Sequence, residues 1–168
     1  MKDRHFVYPW NNQLKMNAYT NASYSNCLDT GRSFLGYILQ LGNTTIPWRC
    51  LKQRFVATST CEAEYMALAM TTKHHHWLKR ESQELLKIDI LTALFCDSNA
   101  TIDVEHNSKL HDQSKHNDVA YHFTREQINK GNVSVMYVPS EENLADIYTK
   151  GMTRYVNDHL CSKIFRSK

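Results

Sequence analysis

The sequence predicts an α/β protein built on a five-stranded mixed sheet with helices on both faces. Three observations carry that expectation. Three strand-like runs come first, joined by connections so short that neighbouring strands must lie antiparallel. A long stretch with apolar residues at helical spacing follows. Beyond it, two more strand-like runs are separated by helical segments, so the sheet mixes antiparallel and helix-linked strands.

Each element has its own signal. In residues 16–24, Met16, Ala18 and Thr20 alternate with polar neighbours. The runs SFLGYILQL (33–41) and TTIPWRC (44–50) flank Gly42 and Asn43, which supply a turn. In TSTCEAEYMALAMTTKHHHWLKRESQELLK, Thr58 or Ser59 offers an N-cap and glutamates occupy the first turns. ILTALFC (90–96) is short, apolar and free of charge, as a buried strand requires. DSNATIDVEHN reads as a short helix, and DVAYHFTREQINK as a stronger one ended by Gly131. VSVMYV (133–138) alternates like a strand, Pro139 stops it, and Ser140 is placed to cap a helix through NLADIYTKG. Residues 153–165 form a closing helix.

With 168 residues the chain has the size of one domain with a single core, and its 42% hydrophobic content excludes a disordered class. The formal charge of +3 is too mild for a globally basic protein, so any contact with an acidic partner depends on a local patch. No apolar run reaches the ~18 residues of a membrane span, and the first residues lack the apolar core of a secretory signal. Cys27, Cys50, Cys61, Cys96 and Cys161 are odd in number, widely spaced and without CxxC pairs. They argue against a disulfide framework or zinc knuckle, fit an intracellular setting in cytoplasm or nucleus, and read as buried small hydrophobes.

Three carboxylates stand out by position. Asp97 follows the apolar strand, either at a sheet's ligand-binding edge or as an N-cap for the next helix. Glu62 and Glu64 are two residues apart on a helix, so they diverge and only one can face the sheet. Asp146 lies beside apolar Ala145 and Ile147. Together these acids come from a helix, a strand end and a late helix, which is how a divalent-cation site is assembled from distant segments. The run KHHHW (73–77) lacks an i, i+4 histidine pair and reads as solvated helix surface, with His76 and Trp77 against the sheet. Arg49, Lys52, Gln53 and Arg54 follow a strand and precede the glutamate helix, where sequence-independent phosphate contacts fit. Lys73, Lys79 and Arg80 read as ordinary solvated charge.

Several motifs in order resemble one family. TSTCEAEYMAL, LFCDSNATI, SKHNDVAYHFTREQINKGNVSVMYVPSEENLADIYTKGM and AYTNASYSNCLDTGRSFLGYI are similar to stretches of copia-type retrotransposon Pol polyproteins, specifically their ribonuclease H domain. The resemblance covers roughly residues 16–155. Residues 1–15 are then a connecting remnant behind a reverse transcriptase domain of the same polyprotein, and 156–168 a C-terminal tail or helix.

The resemblance implies a ribonuclease H-like fold and hydrolysis of the RNA strand of RNA–DNA hybrids with two magnesium ions. It assigns metal-ligand roles to Glu64, Asp97 and Asp146, and a product-release role to His116, with His122 as the alternative. It also exposes a departure: the family's opening aspartate, which bridges both ions, corresponds to Asn21. An amide offers one oxygen and no charge. Ser23 likewise replaces a second aspartate, and Gly31 and Phe34 stand where the family has a basic residue and Ser or Thr. The expectation is therefore an impaired nuclease, against the alternative of a non-catalytic nucleic-acid-binding or scaffolding relic. An integrase-type strand transferase is disfavoured, because such sites draw their glutamate from a later helix.

Overall fold

A computed structural model describes residues 4–5, 15–42, 44–87, 90–106 and 115–167. Strands β2 (Lys15–Ser23), β3 (Phe34–Leu41) and β4 (Thr44–Lys52) form the expected antiparallel meander. Helix α1 (Thr60–Leu86) crosses to β5 (Leu91–Cys96), which runs parallel to β2. Helices α2 (Asn99–His106) and α3 (Lys115–Asn129) lead to β6 (Ser134–Tyr137), parallel to β5. The sheet order is β4-β3-β2-β5-β6. A separate two-residue pairing joins β1 (Arg4–His5) to β7 (Arg166–Ser167). The turn residue Asn43 lies outside the described residues, while Gly42 adopts φ +55°, the left-handed conformation expected of it.

Helices cover both faces, and each face has its own core. On one side Ala63, Ala67 and Leu68 of α1 pack on Met16, Ala18, Leu35, Leu39 and Leu94. On the other, Leu160 and Ile164 of α4 (Arg154–Ile164) pack with Ile38 and Leu144. Each such burial is worth ~1.5–3 kcal/mol, so α4 is a structural part of this face. No helix among the described residues is long and apolar enough to cross a membrane.

Two expectations change. The segment after Pro139 is not one α-helix but two short 3₁₀ helices, η1 (Ser140–Glu142) and η2 (Leu144–Tyr148). Asn143 separates them. Its backbone is extended (φ −77°, ψ 106°), and its side-chain oxygen accepts from the Ala145 N–H, so an Asn cap restarts the turn that Ser140 had begun. Within KHHHW the buried residue is His75, 1% exposed, with its pKa lowered to about 4 by burial and by the nearby Lys79 and His76. His74 lies tilted against the Tyr37 ring of β3, His76 meets Phe123 edge-on, and Trp77 is half exposed. The cysteine expectation holds for Cys96 and Cys161, which are buried, but Cys50 is exposed; all five are free thiols.

Segment η2 approaches the backbone of the β2–β3 hairpin tightly at Gly36, which pairs with Asn21 across the ladder. A Cβ at Gly36 would sit 2.9 Å from Thr149 Cγ2, 2.9 Å from Tyr148 Cβ and 3.1 Å from the Ala145 carbonyl oxygen. The bare backbone at this position is what lets η2 dock. A Gly36→Ala substitution is expected to lower stability by ~1–3 kcal/mol, as overpacking a close contact does, with the denaturant midpoint as the measurement.

Candidate active site

The site forms where β2, β5, the first turns of α1 and η2 converge. Tyr19 of β2 and Phe95 of β5 are register partners whose rings stack at 5.0 Å. Two residues further along each chain stand Asn21 and Asp97. The first turn of α1 arrives from one face of the sheet and η2 from the other.

Position on α1 separates the two glutamates. Ser59 is the N-cap, its hydroxyl accepting from the Glu62 N–H at 3.1 Å. Glu62 turns back to accept from the Thr58 N–H and hydroxyl, both at 2.6 Å, and so serves the helix start. Glu64, half a turn on, points to the sheet and accepts from the Ala22 N–H at 3.0 Å. Asp97 is not a helix cap. Ser98 takes that role, its hydroxyl accepting from the Thr101 N–H at 3.2 Å, which leaves the Asp97 carboxylate free to accept from Ser140 Oγ at 2.5 Å and Lys150 Nζ at 3.3 Å. Asp146 in η2 is 3% exposed and accepts from Lys150 Nζ at 2.9 Å.

Asn21 is fully buried. Its Nδ2 donates to the Thr149 hydroxyl, while its Oδ1 has no partner. The Oδ1 of Asp146 is likewise buried and without a partner. Polar oxygens are rarely left in this condition, and two of them sit beside the same acid cluster.

Electrostatics mark the cluster as short of positive charge. Burial, then repulsion from Asp97 and Asp146, pushes the Glu64 carboxyl up to about 8, against the pull of the Ala22 N–H and Lys150. Burial also raises Asp146 to about 6, with Lys150 opposing and Asp97 adding to the rise. Lys150 is itself raised: burial pulls its pKa down, but Asp146 and Asp97 together outweigh that. Such mutual perturbation of clustered groups is a mark of functional sites.

All available donors are oxygens of the kind hard divalent cations take, and Asp146 Oδ1 is unclaimed, so the donor chemistry fits such an ion. The arrangement is not a ready cage, however. Among the described residues no three His, Cys, Asp or Glu side chains are set to grip a metal, and the Lys150 ammonium lies between two of the three acids.

Other expected residues fall elsewhere. His116 is in the first turn of α3, where its side chain is outside the described residues. His122, the alternative, is exposed on α3. Arg49, Lys52 and Arg54 are exposed and, with Lys73 and Phe55, rim a groove of about 460 Å³ between β4 and α1. Gln53 is different. It is 2% exposed and its Nε2 donates to the Ala63 carbonyl at 2.8 Å, so it ties the end of β4 to α1 and turns away from solvent. Sequence reasoning missed Gly36, Ser140, Thr149 and Lys150. The only available signal for the last two was their place in LADIYTK, beside the acid.

No family model matches the chain. The Pol polyprotein of transposon TNT 1-94 from Nicotiana tabacum is 37% identical over 139 residues, covering 83% of this chain and 10% of that protein. The Pol polyprotein of transposon RE1 from Arabidopsis thaliana is 32% identical over 154 residues, covering 91% of this chain and 10% of that protein. The chain thus spans about a tenth of the length of these curated relatives. Among solved structures, LC11-RNase H1 in complex with RNA/DNA hybrid aligns with TM-score 0.58 and 16% identity over 80% of this chain and 94% of that one. The N-terminal RNase H domain of Rv2228c from Mycobacterium tuberculosis aligns with TM-score 0.58 and 12% identity over 89% and 98%. At such identities these two establish the fold alone.

The raised acids give stability a definite pH slope. A carboxyl near 8 when folded and near 4.5 when unfolded makes the native state hold the extra proton between those values, so stability is full below about 4.5 and falls as pH rises towards 8. Denaturant unfolding in chelator is expected to show this decline, and Glu64→Gln to remove most of it. The sequence relatives place the chain in the copia-type retrotransposon Pol family, and its sheet has the ribonuclease H-like fold.

Proposed function

We propose that this domain binds RNA–DNA hybrids and carries the remains of a magnesium-dependent ribonuclease H site, whose hydrolysis of the RNA strand is impaired by Asn21. One observation carries the reading: Glu64, Asp97 and Asp146, from three separate segments, converge beside a buried Asn21 at the edge of a ribonuclease H sheet.

When bound, divalent ions in such a site activate a water for in-line attack and steady the leaving oxygen. This chain's residues divide the supporting tasks. Asp97 and Asp146 offer carboxylates from the strand end and from η2, and Ser140 orients Asp97 through its hydroxyl. Glu64 is held by the Ala22 N–H, facing the same space. Asn21 contributes no charge, and its amide nitrogen is spent on Thr149. With one negative charge fewer, the cluster holds two dications poorly.

Hybrid contact is assigned to Arg49, Lys52 and Arg54, whose exposed cations line the groove beside α1. An A-like hybrid is held there through its phosphates and recognised by shape. Gln53 supports the strand end instead. Residues 1–15 are read as the connector from a preceding reverse transcriptase domain. The relic reading draws on one specific feature, the commitment of Asn21 to Thr149 and of Lys150 to both aspartates, which leaves the cluster satisfied in part without an ion.

Labelled hybrid with magnesium distinguishes the two. Asn21→Asp is expected to cut about a hundredfold faster than the unaltered chain, since a further carboxylate in the cluster would hold divalent cations more tightly. Equal rates would refute the role given to the amide, and no cleavage by either would favour the relic. Replacing Arg49, Lys52 and Arg54 by Ala is expected to weaken hybrid binding uniformly across sequences. The slope of log K against log salt should flatten by ~1 for each phosphate-binding cation removed, as fluorescence anisotropy at several salt concentrations would measure.

A further inference from the structure

The acid cluster contains a cation of its own. Lys150 immediately follows Thr149 at the end of η2, and its side chain folds back over that segment. The ammonium donates to Asp146 Oδ2 at 2.9 Å, one turn earlier, and to Asp97 Oδ2 at 3.3 Å, across the sheet edge. The two carboxylates are 4% and 8% exposed, whereas the lysine is 38% exposed. Two nearly buried acids thus share one half-exposed positive charge.

The placement follows from the backbone. The Lys150 N–H bonds the Asp146 carbonyl at 3.0 Å, so the last turn of η2 closes directly over Asp146. The docking of η2 at Gly36 then brings that turn within reach of Asp97. Ser140 adds a neutral donor to the same Asp97 oxygen. Without the ammonium, Asp97 and Asp146 would face each other with one hydroxyl between them and the Glu64 carboxyl nearby. Buried like charges of that kind are costly unless paired.

An ammonium and a divalent cation seek the same thing from a carboxylate, a negatively charged oxygen at close range. With the ammonium at 2.9 Å from Asp146 Oδ2 and 3.3 Å from Asp97 Oδ2, a second cation on the same two oxygens would meet it at close range and be strongly repelled. On the reading above, in which the cluster takes a divalent ion, we propose that Lys150 is a built-in counter-ion that competes with that ion for Asp97 and Asp146. It holds the two acids together when the ion is away and swings out toward solvent when the ion arrives. Its partial exposure gives it somewhere to go, and its flexible stem imposes no fixed geometry. Asn21 strengthens the competition. With the fourth carboxylate gone, the lysine neutralises a larger share of the remaining charge.

The test uses Mn²⁺ as the probe, with calorimetry for affinity and thermal unfolding for stability. Lys150→Met keeps the length of the side chain and removes its charge. The variant is expected to bind Mn²⁺ about tenfold more tightly, the value of roughly one partly buried ion pair. In chelator it should melt below the unaltered protein and recover when Mn²⁺ is added. Lys150→Arg, which keeps the charge, should behave like the unaltered chain. Lys130→Met, which removes only an exposed pair with Glu126, should change neither reading.

If Lys150→Met binds Mn²⁺ no more tightly than the unaltered chain, the competition is refuted while the cation site stands. If Mn²⁺ binds none of these proteins, nor Asn21→Asp, the cation site itself is refuted and the competition with it. If Lys150→Met melts no lower than Lys130→Met in chelator, the counter-ion role is refuted irrespective of metal.

Discussion

The close approach of η2 to the β2–β3 hairpin is the contact on which the rest of this molecule depends. It requires a residue without a Cβ opposite Asn21, and Gly36 supplies it. Once η2 is seated, Asn143 Nδ2 bonds the Thr20 carbonyl at 2.9 Å, Cys50 Sγ bonds the Tyr148 carbonyl at 3.0 Å, and Thr149 meets Asn21. These links tie the segment to β2 and β4, on either side of β3. The helix α4, which follows, buries Leu160 and Ile164 against the same face. Packing of one short irregular segment therefore organises an entire side of the sheet.

The same contact sets the electrostatics. Asp146 is carried by η2 into a nearly solvent-free position, where its charge is expensive. Asp97 and Glu64 approach from a strand end and a helix start, so three acids meet with little water to screen them. Burial does more than mutual repulsion to raise Glu64 and Asp146. Lys150 arrives on the same segment as Asp146, which means that the fold imports the acid and its counter-charge together. A cluster assembled this way is tolerable in a folded protein and still attractive to a cation.

Asn21 shows how a single neutral atom pair alters such a site. Its amide has two kinds of end, and the nitrogen donates to the Thr149 hydroxyl. The nitrogen is satisfied and the oxygen is not. An aspartate here would turn two acceptors toward Thr149 and the acids, adding a fourth carboxyl group to a cluster already short of positive charge. The amide relieves repulsion at the cost of cation affinity.

Much of this was legible beforehand because it rests on local rules. Alternation in residues 16–24 and 33–41, the Ser59 cap, the charge-free run at 90–96 and the glycines at 42 and 131 each announce their element through short-range sterics and hydrogen bonding. Motif order pointed to Glu64, Asp97 and Asp146 as a set, though spacing alone did not choose between Glu62 and Glu64. The buried member of the histidine run was not legible, since adjacent helical positions differ only in the face that packing selects. Nor was the break of NLADIYTKG into 3₁₀ turns, because η2 is shaped by the strands that it touches rather than by its own propensity. The reach of Lys150 to Asp97, 53 residues away in sequence, has no local signature at all. Local chemistry determined the elements and the cast of charged residues; which of them share a dry pocket was decided by the packing of η2 on Gly36, since burial and long-range proximity exist only once the chain has closed on itself.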